Sequence, residues 1–216
     1  MAILKRAGTV LVTATALAAG AGLAASPALA GTGSAAVAAT WTVKPGGAIT
    51  AKAGTTKLHD VTTNQNLQCT SSSGKGSVKK GSGLSGASIA SITALGFSNC
   101  TGPFGLTFTV HTSAFPWHLN AVSFSGGVTT GTITHIHATL SGTGCSATVD
   151  GTGPTKNNGM VKAKYSNSTG KLTTLTTGGN LHVYNVNGCA GLINTGDATT
   201  FSGSYAISPK QTITSP

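Results

Sequence analysis

Apolar and polar residues alternate in several short stretches of this chain, and the alternation predicts β-strands. In LTFTVHT, Leu106, Phe108 and Val110 fall on one face of an extended chain, while two threonines and His111 fall on the other. This alternation is typical of a strand with one face packed against the core and the other face exposed to water.

Two later stretches repeat the pattern. GTITHIHATLS, residues 131–141, places Ile136, Ala138 and Leu140 inward and its histidines outward. MVKAKY and KLTTL flank the turn SNSTG and predict a hairpin with its lysines in water. The inward residues of its first strand are Val161, Ala163 and Tyr165.

The chain as a whole predicts about a dozen short strands, separated by turns rich in Gly, Asn and Ser, and no long helix. We therefore expect an all-β fold, either a β-sandwich or a jelly-roll-like barrel. Residues 74–86, GKGSVKKGSGLSG, are predicted as an exposed loop with at most a brief strand at Val78. Residues 88–100 predict a helical turn followed by a strand at 94–98.

In FPWHLNAVSF the apolar residues move from odd-numbered to even-numbered positions, and this shift predicts a bulge near Asn120 and Ala121. Trp117 and Leu119 would face inward before the bulge, and Val122 would face inward after it. Pro116 places this segment at a sheet edge or at the start of a strand.

The first thirty residues predict a secretory signal peptide. Lys5 and Arg6 form a basic start, an apolar stretch follows, and residues 28–30, Ala-Leu-Ala, have the small-x-small form of a cleavage site. We expect a signal peptide over residues 1–30, a flexible lead over 31–40 and a single β domain over 41–216. No later stretch has the roughly 20 apolar residues of a membrane span, so we expect a secreted protein, extracellular or loosely associated with the cell wall.

Four cysteines follow the predicted cleavage site, which allows two disulfides in an oxidising compartment. Three pairings are possible. We favour Cys69 with Cys100 and Cys145 with Cys189, because each half of the chain begins with a cysteine-containing strand (LQCTS, TGCSA) and ends on an asparagine-led cysteine region (SNCTG, NGCAG). This similarity suggests an internal duplication. The cysteines lack the close spacing of a zinc site.

The net charge of the chain limits the kinds of molecule that it is expected to bind. Residues 31–216 contain eleven lysines and three aspartates, a net charge of +8, with no arginine or glutamate. Arginine is the residue that most often binds phosphates and base edges, through paired hydrogen bonds from its guanidinium group. Without arginine, specific nucleic-acid binding is not expected. A lysine-bearing surface is instead suited to anionic cell-wall polymers.

No catalytic or cofactor motif is present: the chain has no G-x-S-x-G, H-E-x-x-H, Walker loop or G-x-G-x-x-G opening a helix. Asp150 and Asp197 lie in VDGTG and NTGDA, where aspartate usually caps a turn. We therefore expect neither enzyme activity nor a cofactor. A hydrolase of unrecognised type remains open, and a clustered Ser, His and Asp would favour it.

Histidines offer a weak metal hypothesis. His135 and His137 are two apart on one strand face and could reach one ion, with His182, His111 or His118 as a third ligand. A polar surface is the simpler interpretation of these residues.

Aromatic side chains offer a possible ligand surface for sugars. The candidates are Trp41, Trp117 and Tyr184. Trp117 shares parity with apolar neighbours and is expected in the core. Tyr184 is out of phase with Leu181 and Val183 and is expected to be the most exposed of the three.

The strings WTVKPGGAITAKAG, FPWHLNAVSF, GCSATVDGTG and LTTGGNLHVYNVNGCAGLIN resemble a group of secreted, Streptomyces-type actinobacterial proteins of unknown function. The resemblance covers nearly the whole chain after the predicted signal peptide. It implies export and a compact β-rich domain, and it implies no active-site residues.

These observations favour a secreted, non-enzymatic β-protein that acts as a structural or interaction module at or near the cell envelope. The first alternative is a carrier of a small apolar or sugar ligand, which a large apolar pocket with a few polar groups would favour.

Overall fold

A computed structural model describes residues 40–216, which belong to one compact unit, Ala38–Pro216. The predicted signal peptide and residues 31–39 of the predicted lead lie outside the described residues. Residues 40–216 contain sixteen strands and one short 3-10 turn, Pro103–Gly105, and no α-helix. The all-β prediction is therefore confirmed. No helix in the described part of the chain is long and apolar enough to cross a membrane.

The first eight strands, in chain order, are β1 (Thr40–Lys44), β2 (Gly47–Ala53), β3 (Thr56–Asp60), β4 (Asn66–Val78), β5 (Gly81–Ser85), β6 (Ala90–Thr101), β7 (Thr107–Ser113) and β8 (Trp117–Ser125). The other eight are β9 (Val128–Gly142), β10 (Cys145–Asp150), β11 (Gly159–Ser166), β12 (Lys171–Leu175), β13 (His182–Asn187), β14 (Thr199–Ser202), β15 (Ser204–Ser208) and β16 (Thr212–Thr214).

The sheet closes on itself to form a barrel. At one end, each strand in the order β4-β6-β8-β9-β11-β12-β15-β2 pairs antiparallel with the next, and β2 pairs with β4 again. At the other end the order is β4-β6-β7-β9-β10-β13. Backbone hydrogen bonds then join β13 to the start of β14, which pairs with β3 and so with β4. We call these the capped ring and the disulfide ring.

Alternation along the strands places one apolar face inside both rings. The inward residues predicted for β9 and β11 are buried as expected, and the outward Lys162 and Lys164 are exposed. The buried cluster along the barrel contains Trp117, Ile133, Ile136, Leu140, Ala147, Val149, Val161, Ala163, Leu181 and Val183. The barrel interior is therefore the hydrophobic core.

A small separate sheet, in the order β16-β1-β5, covers the capped ring. Trp41, Val43 and Ile213 of this sheet pack against barrel residues that include Val78 and Tyr165. The buried side chain of Gln211 accepts a hydrogen bond from the backbone N–H of Gly46 at 2.9 Å. Apolar contact and buried hydrogen bonds together hold the cap on the barrel.

Both predicted disulfides are present, Cys69–Cys100 and Cys145–Cys189. Cys69 and Cys100 are directly opposite each other on β4 and β6. Cys145 begins β10, and Cys189 follows β13, the strand that pairs with β10. Both bonds thus link neighbouring segments of the disulfide ring.

Two sequence predictions for the first half of the barrel are wrong. Residues 74–86 are not a loop, because β4 continues to Val78 and β5 occupies Gly81–Ser85. Residues 90–101 form one strand, β6, without a helical turn. The low-complexity sequence forms a strand because β4 is paired on both sides, with β2 and with β6. Glycine is needed at position 76, since a Cβ there would meet the carbonyl oxygen of Ser91.

The bulge predicted near Asn120 and Ala121 is present in β8. The register with β9 shifts between Ala121 and Ser123. Val122 is therefore the extra residue, and its side chain is exposed rather than inward.

The hydroxyl of Tyr165 gives a test of how the cap is held. It donates to the carbonyl of Gln211 at 2.9 Å and accepts from the N–H of Gln211 at 2.8 Å. Tyr165→Phe leaves both buried backbone groups unpaired, so we expect the free energy of unfolding to fall by about 2 to 4 kcal/mol in urea titrations. The control is Tyr184→Phe, which removes a single bond to the carbonyl of Gly151 at a half-buried site and should cost less than about 1.5 kcal/mol. Equal losses in the two variants would contradict this account of the cap.

Candidate functional site

The described surface carries side-chain charge of almost one sign. Of the eleven lysines in residues 40–216, ten are exposed and Lys57 is half-buried. All three aspartates are buried, with exposed fractions of 3% for Asp60, 0% for Asp150 and 8% for Asp197. No lysine in this part of the chain lies within salt-bridge distance of a carboxylate; the one His–Asp contact found there joins His137 Nδ1 to Asp150 Oδ2 at 2.9 Å. The outer surface is therefore cationic and unneutralised by side-chain carboxylates.

The buried aspartate carboxylates accept hydrogen bonds from backbone N–H groups and so stabilise local turns. Oδ1 of Asp60 accepts hydrogen bonds from the backbone N–H groups of Thr62 and Thr63, both at 2.9 Å. Oδ2 of Asp197 accepts from the backbone N–H of Asn194 at 2.7 Å. The prediction that Asp197 holds a turn is consistent with this geometry.

Five lysines lie on the outer side of consecutive strands of the capped ring, and we call them the lysine face: Lys52, Lys75, Lys162, Lys164 and Lys171. The strands that carry or separate them are β4, β2, β15, β12 and β11, which are neighbours in the barrel. All five side chains are exposed.

Strand register sets the spacing within the lysine face. Lys52 and Lys171 are both paired with Ala206 of β15, so a single strand separates them, about 10 Å across the sheet. Lys171 is paired with Ser166 of β11, and Lys164 lies two positions before Ser166 on the same face. Neighbouring charges are thus separated by about one Debye length at physiological ionic strength, roughly 8 Å, so their potentials reinforce one another.

Asp150 forms the most highly bonded polar centre of the barrel wall. Its carboxylate accepts hydrogen bonds from His137 Nδ1 at 2.9 Å and from the backbone N–H groups of Gly151, Asn157 and Asn158 at 2.6, 2.9 and 3.0 Å. Burial alone would raise the pKa of Asp150, but these hydrogen bonds outweigh it, and the pKa is lowered. The ionised carboxylate therefore organises residues 151–158 after β10.

The structure does not assemble the predicted histidine metal site. His137 is bonded to Asp150, the ring of His135 lies against that of His118 with centroids 4.9 Å apart, and His182 Nδ1 is 2.9 Å from the carbonyl of Asn180. Within residues 40–216, no three His, Cys, Asp or Glu side chains come together in a way that could hold a metal ion. His135 has a φ of 67° at a bulge in β9, where the register with β11 shifts. This irregularity could not be seen in the alternating sequence pattern.

A serine does lie beside the His137–Asp150 pair. Ser113 of β7 is directly opposite His137 of β9. Within the described residues, no hydrogen bond joins the Ser113 hydroxyl to the imidazole, so the serine–base contact that activates a nucleophile is not formed in this structure. The pair is accounted for by its role in holding residues 151–158.

The three aromatic candidates divide as follows. Trp41 and Trp117 are 2% and 4% exposed and belong to the core, so neither can offer a ring face to a sugar at the surface. Trp117 was expected there from its parity, whereas Trp41 is buried because the small sheet covers the barrel end. Tyr184 is half-buried, and its hydroxyl donates to the carbonyl of Gly151 at 2.9 Å. Tyr184 is thus the most exposed of the three, as predicted.

The fold and surface define a closed, disulfide-linked β-barrel with a cationic exterior. Comparisons of the chain with protein-family models, with curated proteins and with solved structures found no match.

Asp150 generates a test that combines mutation with pH. Asn at this position cannot accept all four hydrogen bonds, so Asp150→Asn should lower the free energy of unfolding at pH 7 by about 2 to 4 kcal/mol. Because the pKa of Asp150 is lowered on folding, its stabilisation is complete above the pKa of an unfolded aspartate, about 4, and is lost as the pH falls through the lower folded value.

Urea midpoints measured from pH 7 down to pH 2 should therefore fall more steeply below about pH 4 for the wild type than for Asp150→Asn. His137→Gln, which keeps the three backbone donors, should give a smaller loss at pH 7. Parallel pH profiles for the wild type and Asp150→Asn would contradict the assignment.

Proposed function

We propose that the protein is exported and acts, without enzymatic activity, as an interaction module at or near the cell envelope, where the lysine face binds anionic wall polymers. The observation that carries the proposal is the separation of charge by burial: the described aspartates are inside and the lysines outside. Such a surface attracts polyanions in general, and the five-strand arrangement gives a linear polymer several charges along one path.

Export is supported by two independent features. The two disulfides are typical of proteins that fold in an oxidising compartment. The first thirty residues have the basic, apolar and small-residue order of a signal peptide. The resemblance to secreted actinobacterial proteins agrees with this proposal.

The predicted cleavage after Ala30 can be measured directly. Expression of the full chain in an actinobacterial host should release a protein whose amino terminus is Gly31, determined by intact-mass measurement and amino-terminal sequencing of the culture supernatant. Replacement of both Ala28 and Ala30 by bulky residues should block processing. Recovery of the uncleaved chain from the cytoplasm of the wild-type strain would contradict export.

The lysine face can be tested with charge-matched variants. The triple variant Lys52→Gln, Lys164→Gln, Lys171→Gln removes three charges from the lysine face, and we expect its affinity for purified cell walls in a pelleting assay to fall about 10-fold or more, because neighbouring charges act together. The control triple, Lys44→Gln, Lys80→Gln, Lys156→Gln, has the same net charge but leaves the lysine face intact, and should lose less than about 3-fold.

Two further arms identify the partner. Binding should weaken between 50 and 300 mM salt, as screening requires, and should be lost on walls from which the anionic polymers have been extracted. Equal losses in the two triple variants would show that net charge alone acts, without a lysine face. Binding that is unchanged by salt or by extraction would overturn the proposal.

A further inference from the structure

The barrel interior is not completely filled. A cavity of about 160 Å³ lies within it, lined by inward side chains of both rings that include Leu95, Trp117, Ile133, Val161 and Ala163. Eight-stranded barrels are at the size where side chains either fill the interior or leave room for one small ligand. Apolar cavities of about 150 Å³ stay dry and bind a molecule such as benzene.

Two threonine hydroxyls that line this cavity have no hydrogen-bond partner. Thr56 on β3 is 1% exposed and Thr129 on β9 is 6% exposed, and Oγ1 of each is buried and unpaired. A third lining threonine shows what is usual at such positions, because Thr174 Oγ1 donates to the carbonyl of Phe201 at 3.1 Å. Buried polar groups are nearly always paired, so an unpaired hydroxyl beside a cavity indicates a missing partner.

A water molecule is a poor candidate for that partner. A buried water needs two to four polar partners, whereas the lining is almost entirely apolar. A molecule that is mostly carbon, with one oxygen, would meet both the apolar wall and a hydroxyl.

The lining of the cavity also disfavours a charged ligand. None of the aspartates lines it, and Lys75, a residue of the wall, has an exposed side chain. Tyr205, another lining residue, stays neutral, because burial raises its pKa to about 12 despite the opposing effect of its hydrogen bond with Ser72. No buried charge is available to neutralise an ionic ligand, and an unpaired ion in such a site is strongly disfavoured.

We propose that the barrel cavity is a binding site for a small, neutral, mostly apolar molecule, of the size of one aromatic ring or a short alkyl chain, whose single hydroxyl or carbonyl oxygen hydrogen-bonds to Thr56 or Thr129. This site lies inside the barrel and is separate from the lysine face, so the two functions can succeed or fail independently.

Benzene and phenol are suitable probes, because they differ by one hydroxyl. With the exported protein purified from the culture supernatant, titrations followed by methyl NMR should give dissociation constants of roughly 0.1 to 1 mM for both probes. Shifts should be confined to lining methyl groups such as those of Ile133 and Val161. Both probes should also raise the unfolding temperature in a concentration-dependent way.

Isosteric variants locate the hydrogen bond. Thr56→Val and Thr129→Val keep the shape of the cavity and remove one hydroxyl each. One of the two should weaken phenol binding about 3- to 10-fold while benzene affinity is unchanged or improved. Neither variant should be less stable than the wild type, because an unpaired hydroxyl is lost in each case.

Cavity-filling variants provide the control for location. Ala163→Leu should abolish binding of both probes, and Ala138→Val, a smaller change in the same lining, should weaken it if Ala163→Leu does not fold by near-ultraviolet circular dichroism. No binding of either probe at 10 mM would overturn the proposal, as would unchanged binding in a folded filling variant. Identical responses of benzene and phenol to both threonine variants would overturn the role of the hydroxyls.

Discussion

The whole architecture depends on three long strands that change partners halfway along. β4, β6 and β9 run through both rings, and each pairs with different neighbours at the two ends. Because every buried backbone N–H and C=O needs a partner, a sheet that curls must either close or protect its edges. Continuous strands with two sets of neighbours allow closure at both ends, and that closure creates a single enclosed interior and a single continuous outer surface.

Burial then separates the side chains by polarity between the outer surface and the barrel interior. The outside has the lysines and small polar side chains, while the barrel interior is lined mainly by apolar side chains, with a few hydroxyl groups and the Gln211 amide among them. By the chain-entropy relation, disulfides that close loops with sequence separations of 31 and 44 residues each contribute roughly 4 kcal/mol. A cavity of about 160 Å³ destabilises by a similar amount, about 4 kcal/mol. The disulfides therefore let the barrel keep an imperfectly filled core.

Local patterns in the sequence predicted the strands with strict alternation and the cysteine pairing. β7, β9 and the β11–β12 hairpin are the clearest cases, since apolar residues at every second position leave one choice of inward face. The pattern could not predict the second half of β4 or β5, because glycine, serine and lysine have little strand preference and extend there only through pairing with distant segments.

The candidate sites depended even more on distant pairing. Lys162 and Lys164 were predicted outward from their own strand, and Lys171 lies beside them through the predicted β11–β12 hairpin. Lys52 joins them only because β15 lies between β2 and β12. Similarly, nothing near Thr56 or Thr129 in the sequence marks their hydroxyls as buried and unpaired. Contacts between residues more than a hundred positions apart are fixed by topology, and a single sequence does not encode them in any local pattern.

The uneven placement of the disulfides gives the barrel two different ends. One ring has two disulfides between neighbouring segments, whereas the other is covered by three short strands held through Trp41, Val43, Tyr165 and Gln211. Local opening costs least free energy where few buried contacts hold a region in place. No disulfide crosses the capped end, so only noncovalent contacts oppose local opening there.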